Sequence, residues 1–176
     1  GITPDIITMA KGIASGFPMG ACAARIEVAE AFEPGDHGST FGGSNLAMAA
    51  AHATLATLSR GHFDEDVQER GYYFAEGLDK IDAITEVRGM GLMIGADLEE
   101  GIDANLVVAK GLDEGFLLNA TGPQTLRFLP PLIVTRKEID QLLAALPGMI
   151  DAVRNGWTPD EEAEPSAEED NEFLAQ

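Results

Sequence analysis

The sequence contains little cysteine, few basic residues and no long apolar stretch. Cys22 is the single cysteine among 176 residues, so neither a disulfide framework nor a cysteine-rich metal site can form within the chain. Lysine and arginine number 11 against 30 acidic residues, and the net charge of −19 argues against nucleic acid and anionic membrane as partners. No apolar run approaches the roughly 18 residues of a membrane span.

The composition nevertheless supports a packed structure. Apolar residues make up 45% of the chain, and its length fits one domain, or one domain and part of another. Residues 158–176 hold eight acidic residues and no basic one, so we expect a disordered, solubilising tail over residues 157–176. The chain opens at Gly1 directly before a strand pattern, so we expect a fragment or a processed product without a signal peptide.

The first 60 residues predict two short strands and two helices. The apolar run at residues 6–9 predicts a buried strand, and residues 19–24 predict a second one. Residues 25–32 predict a short helix. Ser44 or Asn45 can cap an alanine-rich helix that follows.

The remainder predicts a mixture of helices and strands. The apolar spacing favours a helix over residues 63–81, and the glycine-bent apolar stretch at residues 86–98 favours a strand. A helix over residues 103–114 should end at Gly115, and Pro147 should kink or end a helix that begins behind Thr135 and Glu138, which have capping-box spacing. Short strands are also expected at residues 116–118 and 125–128.

The predicted fold is therefore mixed α/β. We expect residues 1–60 to be the end of a larger sheet domain, residues 61–83 a connecting helix, and residues 84–156 a small α/β domain ahead of the tail.

Three places could carry chemistry. Lys11 lies between an apolar strand and a glycine-rich loop, where partial desolvation would favour the neutral amine that attacks a carbonyl. Ser39 and Thr40 lie in a glycine-rich loop before a helix, which suits an anion site. Arg127 is the one charge in an apolar strand, and its guanidinium can bind a carboxylate bidentately. Each also has a plain structural explanation: a surface lysine, a hydroxyl turn with a helix cap, or a salt-bridged arginine.

Other candidates are weaker. The three histidines, His37, His52 and His62, lack ligand-spaced partners, so no metal site is expected. Asp36, His37 and Ser39 are too close in sequence to form a triad. The glycines at residues 89, 91 and 95 miss the dinucleotide-binding spacing by one residue. Cys22, among alanines, is expected to be a small buried residue.

Four segments, taken together, resemble the class III pyridoxal-phosphate-dependent aminotransferases. TPDIITMAKG at residues 3–12 resembles their cofactor-lysine segment, and GDHGSTFGG at residues 35–43 resembles their phosphate-side loop. RGMGLMIG at residues 88–95 and LRFLPPL at residues 126–132 resemble small-domain motifs of the acetylornithine branch. The segments occur in the family's order and spacing, and the resemblance spans residues 1 to about 154. It implies the carboxyl-terminal half of a fold type I enzyme of the aspartate aminotransferase kind.

The resemblance implies roles for individual residues. Lys11 would form the Schiff base with pyridoxal 5'-phosphate and then act as the catalytic acid and base. Thr40 would bind the cofactor phosphate across a homodimer interface, with Ser39 assisting at the phosphate and the substrate. Arg127 would bind the substrate α-carboxylate. This chain has Gly-Ser-Asn-Leu at residues 43–46 where the family usually has Gly-Asn-Pro-Leu.

The implied reaction converts N-acetylornithine and 2-oxoglutarate to N-acetylglutamate 5-semialdehyde and glutamate, in the arginine biosynthesis of the cytoplasm. The family's phosphate cup, ring-stacking aromatic and pyridine-nitrogen aspartate precede these motifs in the family's order, so the 176 residues alone are expected to be inactive. Ornithine, succinylornithine or 4-aminobutyrate is the alternative amino donor. A non-catalytic α/β binding module is the alternative of a different class.

Overall fold

A computed structural model describes residues 1–159, and these divide into two compact units, residues 1–64 and residues 65 onward. The architecture is α/β, as predicted. Most of the acidic tail, residues 160–176, lies outside the described residues.

The first unit contains a two-stranded antiparallel sheet and three helical segments. Strands β1 (Ile6–Met9) and β2 (Ala21–Ala24) pair antiparallel, and a short 3-10 helix (Lys11–Ala14) lies between them in the chain. Helix α1 (Ile26–Ala29) has only four residues, fewer than predicted, and α2 (Asn45–Leu58) has fourteen. The 3-10 helix and α2 contact each other, and their alanines form the buried centre of this unit: Ala14, Ala47 and Ala51.

Two burial predictions for the first unit are wrong. Every residue of β1 is exposed, although its run is apolar, and Cys22 on β2 is exposed as well. The reason is that the described sheet has only two strands, so within residues 1–64 no layer covers either strand. Ser44 occupies the N-cap position of α2 as predicted, but its side chain makes no capping hydrogen bond.

The second unit is built on a three-stranded antiparallel sheet. Strands β3 (Ile84–Met90), β4 (Met93–Leu98) and β5 (Thr125–Phe128) are hydrogen-bonded in that order. Helix α3 (Phe63–Leu78) begins two residues before this unit, and α4 (Ala104–Asp113) and α5 (Arg136–Arg154) complete it. The predicted strand over residues 86–98 is thus a hairpin that turns at Gly91, where φ is +53°.

The core of the second unit lies between one face of the sheet and the apolar faces of its helices. Residues alternate along β4, with Ile94, Ala96 and Leu98 buried and the residues between them more exposed. Leu126 and Phe128 of β5 join them, and the Phe128 ring meets that of Phe74 edge-on at 5.1 Å. Alternation with period two places Arg88, Asp97 and Arg127 on the opposite face, together with the exposed Met90 and Met93.

Helix boundaries in the second unit follow local signals with one exception. Asp103 caps α4 by accepting a hydrogen bond from the Asn105 amide at 2.8 Å, and Thr135 and Glu138 form the predicted capping box. Pro147 was predicted to kink or end the helix, and the predicted end is wrong, because α5 continues through it to Arg154. Burial explains this continuity, since Leu146 before the proline and the residues after it are all buried: Met149, Ile150 and Val153.

The segment that follows α4 also differs from the prediction. Residues 116–118 form no strand; only Ala120 makes an isolated bridge, to Leu126. Within residues 1–159, no helix combines the length and the apolar character that crossing a bilayer would require.

Candidate active site

Lys11 lies two residues after the end of β1 and is the first residue of the 3-10 helix. Its φ of +55° is in the left-handed region, which non-glycine residues rarely adopt and which is often found at functional sites. The side chain is exposed rather than partly desolvated as expected. Within the described part of the chain, its amine makes no hydrogen bond or ion pair.

Lys11 lines an open cavity of about 490 Å³. Its walls are formed by the 3-10 helix and the loop that follows, and it is lined by Lys11, Gly12, Ser15, Gly16, Phe17, Pro18 and Met19. A Cβ atom placed on Gly12 or Gly16 would meet no atom within 4 Å, so the space beside these two glycines is open to a bulky group. Ser15 is fixed to α2 through a 3.0 Å hydroxyl–hydroxyl hydrogen bond with Thr54.

The hydroxyl loop lies beside a second cavity in the same unit. Ser39 lines this cavity of about 430 Å³ together with Gly42, Gly43 and Ser44, where α2 begins. The loop turns tightly, because the Gly42 amide donates to the Ser39 carbonyl at 3.2 Å. Thr40 is exposed and is not among the lining residues.

The two cavities adjoin. Phe17, Pro18 and Met19 line both of them, Lys11 lines one and Ser39 lines the other. The first unit therefore brings together an amine and a hydroxyl loop that are 28 residues apart in the sequence.

Arg127 lies on β5 in the second unit. Its neighbours Leu126 and Phe128 point into the core, and Arg127 itself is exposed on the other face. Four of the five arginines in residues 65–159 make a hydrogen bond or an ion pair: Arg70, Arg88, Arg136 and Arg154. Arg127 is the one whose guanidinium has no partner in that range, so it can accept a carboxylate without first losing another contact.

The outer face of this sheet also carries residues that sequence reasoning did not single out as functional. Arg88 donates two hydrogen bonds to the Asp97 carboxylate, one of them 3.0 Å long, and the Thr125 hydroxyl donates a third at 2.6 Å. The bonds from Arg88 and Thr125 hold the pKa of Asp97 below its ordinary value, and the same carboxylate raises the pKa of Arg88. The Arg88–Asp97 pair could have been found from the sequence by recognising the hairpin, because a turn at Gly91 places the two strands side by side.

Comparison with known proteins gives a consistent result. The family model for class-III aminotransferases matches residues 1–150. The acetylornithine aminotransferase of Caldanaerobacter subterraneus subsp. tengcongensis is 44% identical over 158 residues, which are 88% of this chain and 40% of that protein.

Solved structures show the same fold. N-acetylornithine aminotransferase from Stenotrophomonas maltophilia matches with a TM-score of 0.76 and 31% identity over 89% of this chain and 42% of that one. Ornithine aminotransferase from Toxoplasma gondii matches with a TM-score of 0.77 and 32% identity over 88% and 38%. The chain spans about two fifths of the length of these relatives.

Proposed function

This chain belongs to the class-III aminotransferase family, and we propose that it supplies the lysine and the carboxylate-binding arginine of an acetylornithine aminotransferase. The proposed reaction converts N-acetylornithine and 2-oxoglutarate to N-acetylglutamate 5-semialdehyde and glutamate. The observation that carries the proposal is the Lys11 amine, which has no partner within residues 1–159 and lines an open, glycine-walled cavity beside the hydroxyl loop. Relatives with the acetylornithine name support the choice of substrate.

The residues present suit pyridoxal phosphate as a cofactor. An amine is the group that captures an aldehyde, and hydroxyl and backbone donors before a helix suit a phosphate. Both sets occur in adjoining cavities, and the open space beside Gly12 and Gly16 leaves room for a ring. When bound, this cofactor supplies an aldehyde carbon and a ring that withdraws electrons from the substrate carbon.

Lys11 has two tasks in this proposal. Its Nζ would hold the cofactor, and the same Nζ would act as acid and base, taking the proton that leaves the substrate carbon and later giving it back. The left-handed backbone at Lys11 and the Ser15–Thr54 hydrogen bond together fix where the side chain starts. The exposure of Lys11 in the described residues leaves the amine accessible to both partners.

The other candidate residues bind and orient. Ser39 and Thr40 would donate hydroxyl hydrogen bonds to the phosphate, and Ser39 would also contact substrate. Arg127 would hold the α-carboxylate through two parallel N–H donors, which sets the orientation of the substrate.

The remaining parts of the proposal concern organisation. We propose a cytoplasmic homodimer with shared active sites, in which Thr40 serves the partner subunit. Residues 1–60 would belong to the large cofactor-binding domain, residues 61–83 would connect, and residues 84–156 would form the small domain. The 176 residues alone are expected not to transaminate.

Borohydride reduction tests the role of Lys11. The gene product that contains this chain is loaded with pyridoxal phosphate and reduced, and its peptides are analysed by mass spectrometry. We expect a permanent cofactor adduct on the Lys11 peptide, no adduct after Lys11→Ala, and an unchanged adduct after Lys80→Ala, which removes another exposed lysine. An adduct that survives Lys11→Ala would disprove the assignment.

Ornithine is a second candidate substrate, because the Toxoplasma gondii ornithine aminotransferase is as similar in structure as the N-acetylornithine enzyme. Values of kcat/KM for acetylornithine and ornithine distinguish the two. We expect acetylornithine to be preferred, and a preference for ornithine would reassign the substrate.

A further inference from the structure

The strand register places two arginines on one face of the β3–β4–β5 sheet. Gly95 at the centre of β4 pairs with Arg88 on β3 and with Arg127 on β5. Residues directly opposite each other in an antiparallel sheet project from the same face. Because Ile94 and Ala96 on either side of Gly95 are buried, the face that the two arginines share is the outer one.

Nothing separates the two arginines at the level of the middle strand. Gly95 has no side chain, and the three atoms nearest to a Cβ atom built there all belong to Arg88, at 3.8–3.9 Å. Two strand spacings put the Cα atoms of Arg88 and Arg127 about 10 Å apart. Two arginine side chains are long enough to meet above a glycine, so both guanidinium groups could bind one small dianion at the same time.

Asp97 prevents this. It lies two residues beyond Gly95 on the same face, and both of its carboxylate oxygens accept from the Arg88 guanidinium. Thr125 on the far strand fixes one of those oxygens, and Glu86 adds a weaker ion pair to Arg88 at 3.6 Å. Arg88 is thus held towards Asp97, while Arg127 has no such partner in the described residues.

We propose that Asp97 is a specificity-determining positioning residue that withholds Arg88 from the carboxylate site of Arg127. The inference rests on the proposed function of Arg127. The outer face of the sheet then offers one free guanidinium rather than two. A dicarboxylate therefore gains no affinity over a monocarboxylate at Arg127. Without Asp97, a dicarboxylate would be bridged by both arginines and held in an unproductive position.

Binding of glutarate and butyrate tests the proposal, since these acids differ in the number of carboxylates. Dissociation constants are measured by calorimetry on the gene product that contains this chain. Asp97→Asn should tighten glutarate binding about fivefold, the size of one additional exposed charge pair, and leave butyrate unchanged. The double variant Asp97→Asn/Arg88→Met should return glutarate binding to the wild-type value.

Two further variants keep the outcomes distinct. Thr125→Val loosens Asp97 without removing it and should tighten glutarate binding by a smaller factor, which decides the question if Asp97→Asn does not fold. Unchanged glutarate binding in the folded variant, or tightening that persists without Arg88, overturns the proposal. If Arg127→Met leaves both acids bound as before, the proposed function of Arg127 is wrong instead.

Discussion

At the scale of single residues, the presence or absence of a bonding partner distinguishes structural arginines from the candidate ligand-binding arginine. On the second unit, Arg136 contacts Glu69 and lies over the Tyr73 ring at 4.8 Å, and Arg154 bonds to Glu99 at 2.7 Å. Such exposed pairs contribute little each to stability. Arg127 is also exposed but has no partner within residues 1–159, and that contrast favours a ligand-binding role over the salt-bridged alternative.

Acid should remove the contribution of the Arg88–Asp97 pair to stability. The pKa of Asp97 is lowered in the folded state, so its contribution is complete above the ordinary aspartate pKa of about 3.9 and is lost as pH falls through the folded value. Urea unfolding should therefore show Asp97→Asn less stable than wild type at pH 7, with the difference shrinking below pH 4.

Asp113→Asn is the matched control, because Asp113 is exposed and its side chain makes no hydrogen bond or ion pair within residues 1–159. Its effect on the free energy of unfolding should be small at both pH values. A difference for Asp97→Asn that persists unchanged in acid would show that the pair does not act through its charge.

At the scale of elements, glycines allow α3 to approach its neighbours. A Cβ atom on Gly71 would lie 2.1 Å from the carbonyl oxygen of Gly91, at the turn between β3 and β4. On Gly77 it would lie 2.3 Å from a methyl carbon of Leu143 on α5. Helix α3 thus contacts the hairpin backbone at Gly71 and α5 at Gly77. The contact at Gly71 cannot adjust by a change of rotamer, because both sides of it are main chain.

Alanine at Gly71 should therefore destabilise the second unit. Overpacking of this kind costs about 1–3 kcal/mol, and here the obstructing atom is backbone. Gly148→Ala in α5 is the control, since a Cβ there meets no atom within 4 Å and alanine favours helix by about 1 kcal/mol. Thermal unfolding should show a lower Tm for Gly71→Ala and a slightly higher one for Gly148→Ala; equal Tm values would refute the close contact.

At the scale of the whole chain, burial is distributed unevenly between the units. Residues 65–159 contain the large apolar cluster, whereas the buried apolar residues of the first unit are three alanines. Large apolar side chains are exposed throughout the first unit, among them Ile2, Ile26, Phe32, Phe41 and Leu46. Apolar surface of this extent is typical of a face that packs against further protein.

Hydrogen exchange on the 176-residue chain should show this imbalance. Amides of β4 and the buried part of α5 should exchange slowly, because opening them exposes the core, and amides of β1 and β2 should exchange fast. Mass spectrometry of the exchanged peptides measures both sets in one sample. Equal protection in β1 and β4 would contradict the difference in burial.

Much of the fold was predictable because its signals are local. The capping box at Thr135, the helix expected from Asp103 and the apolar stripe of α3 each depend on residues a few positions apart, and the structure confirms all three. The errors at β1 and Cys22 and the wrongly expected helix end at Pro147 share a cause. Each concerns burial, which depends on the surfaces that pack against a segment and not on the segment's own residues.

The sequence by itself determined the family, the α/β class and the identity of the chemical groups, since these depend only on residue type and on the order of the motifs. Only the tertiary structure decided which of those groups have partners. The antiparallel register brings Arg88 to Asp97, nine residues later, and sets both beside Arg127, 39 residues from Arg88. Register is decided by packing of the buried face against the helices, because a shift of one residue would turn every core side chain of β4 outward.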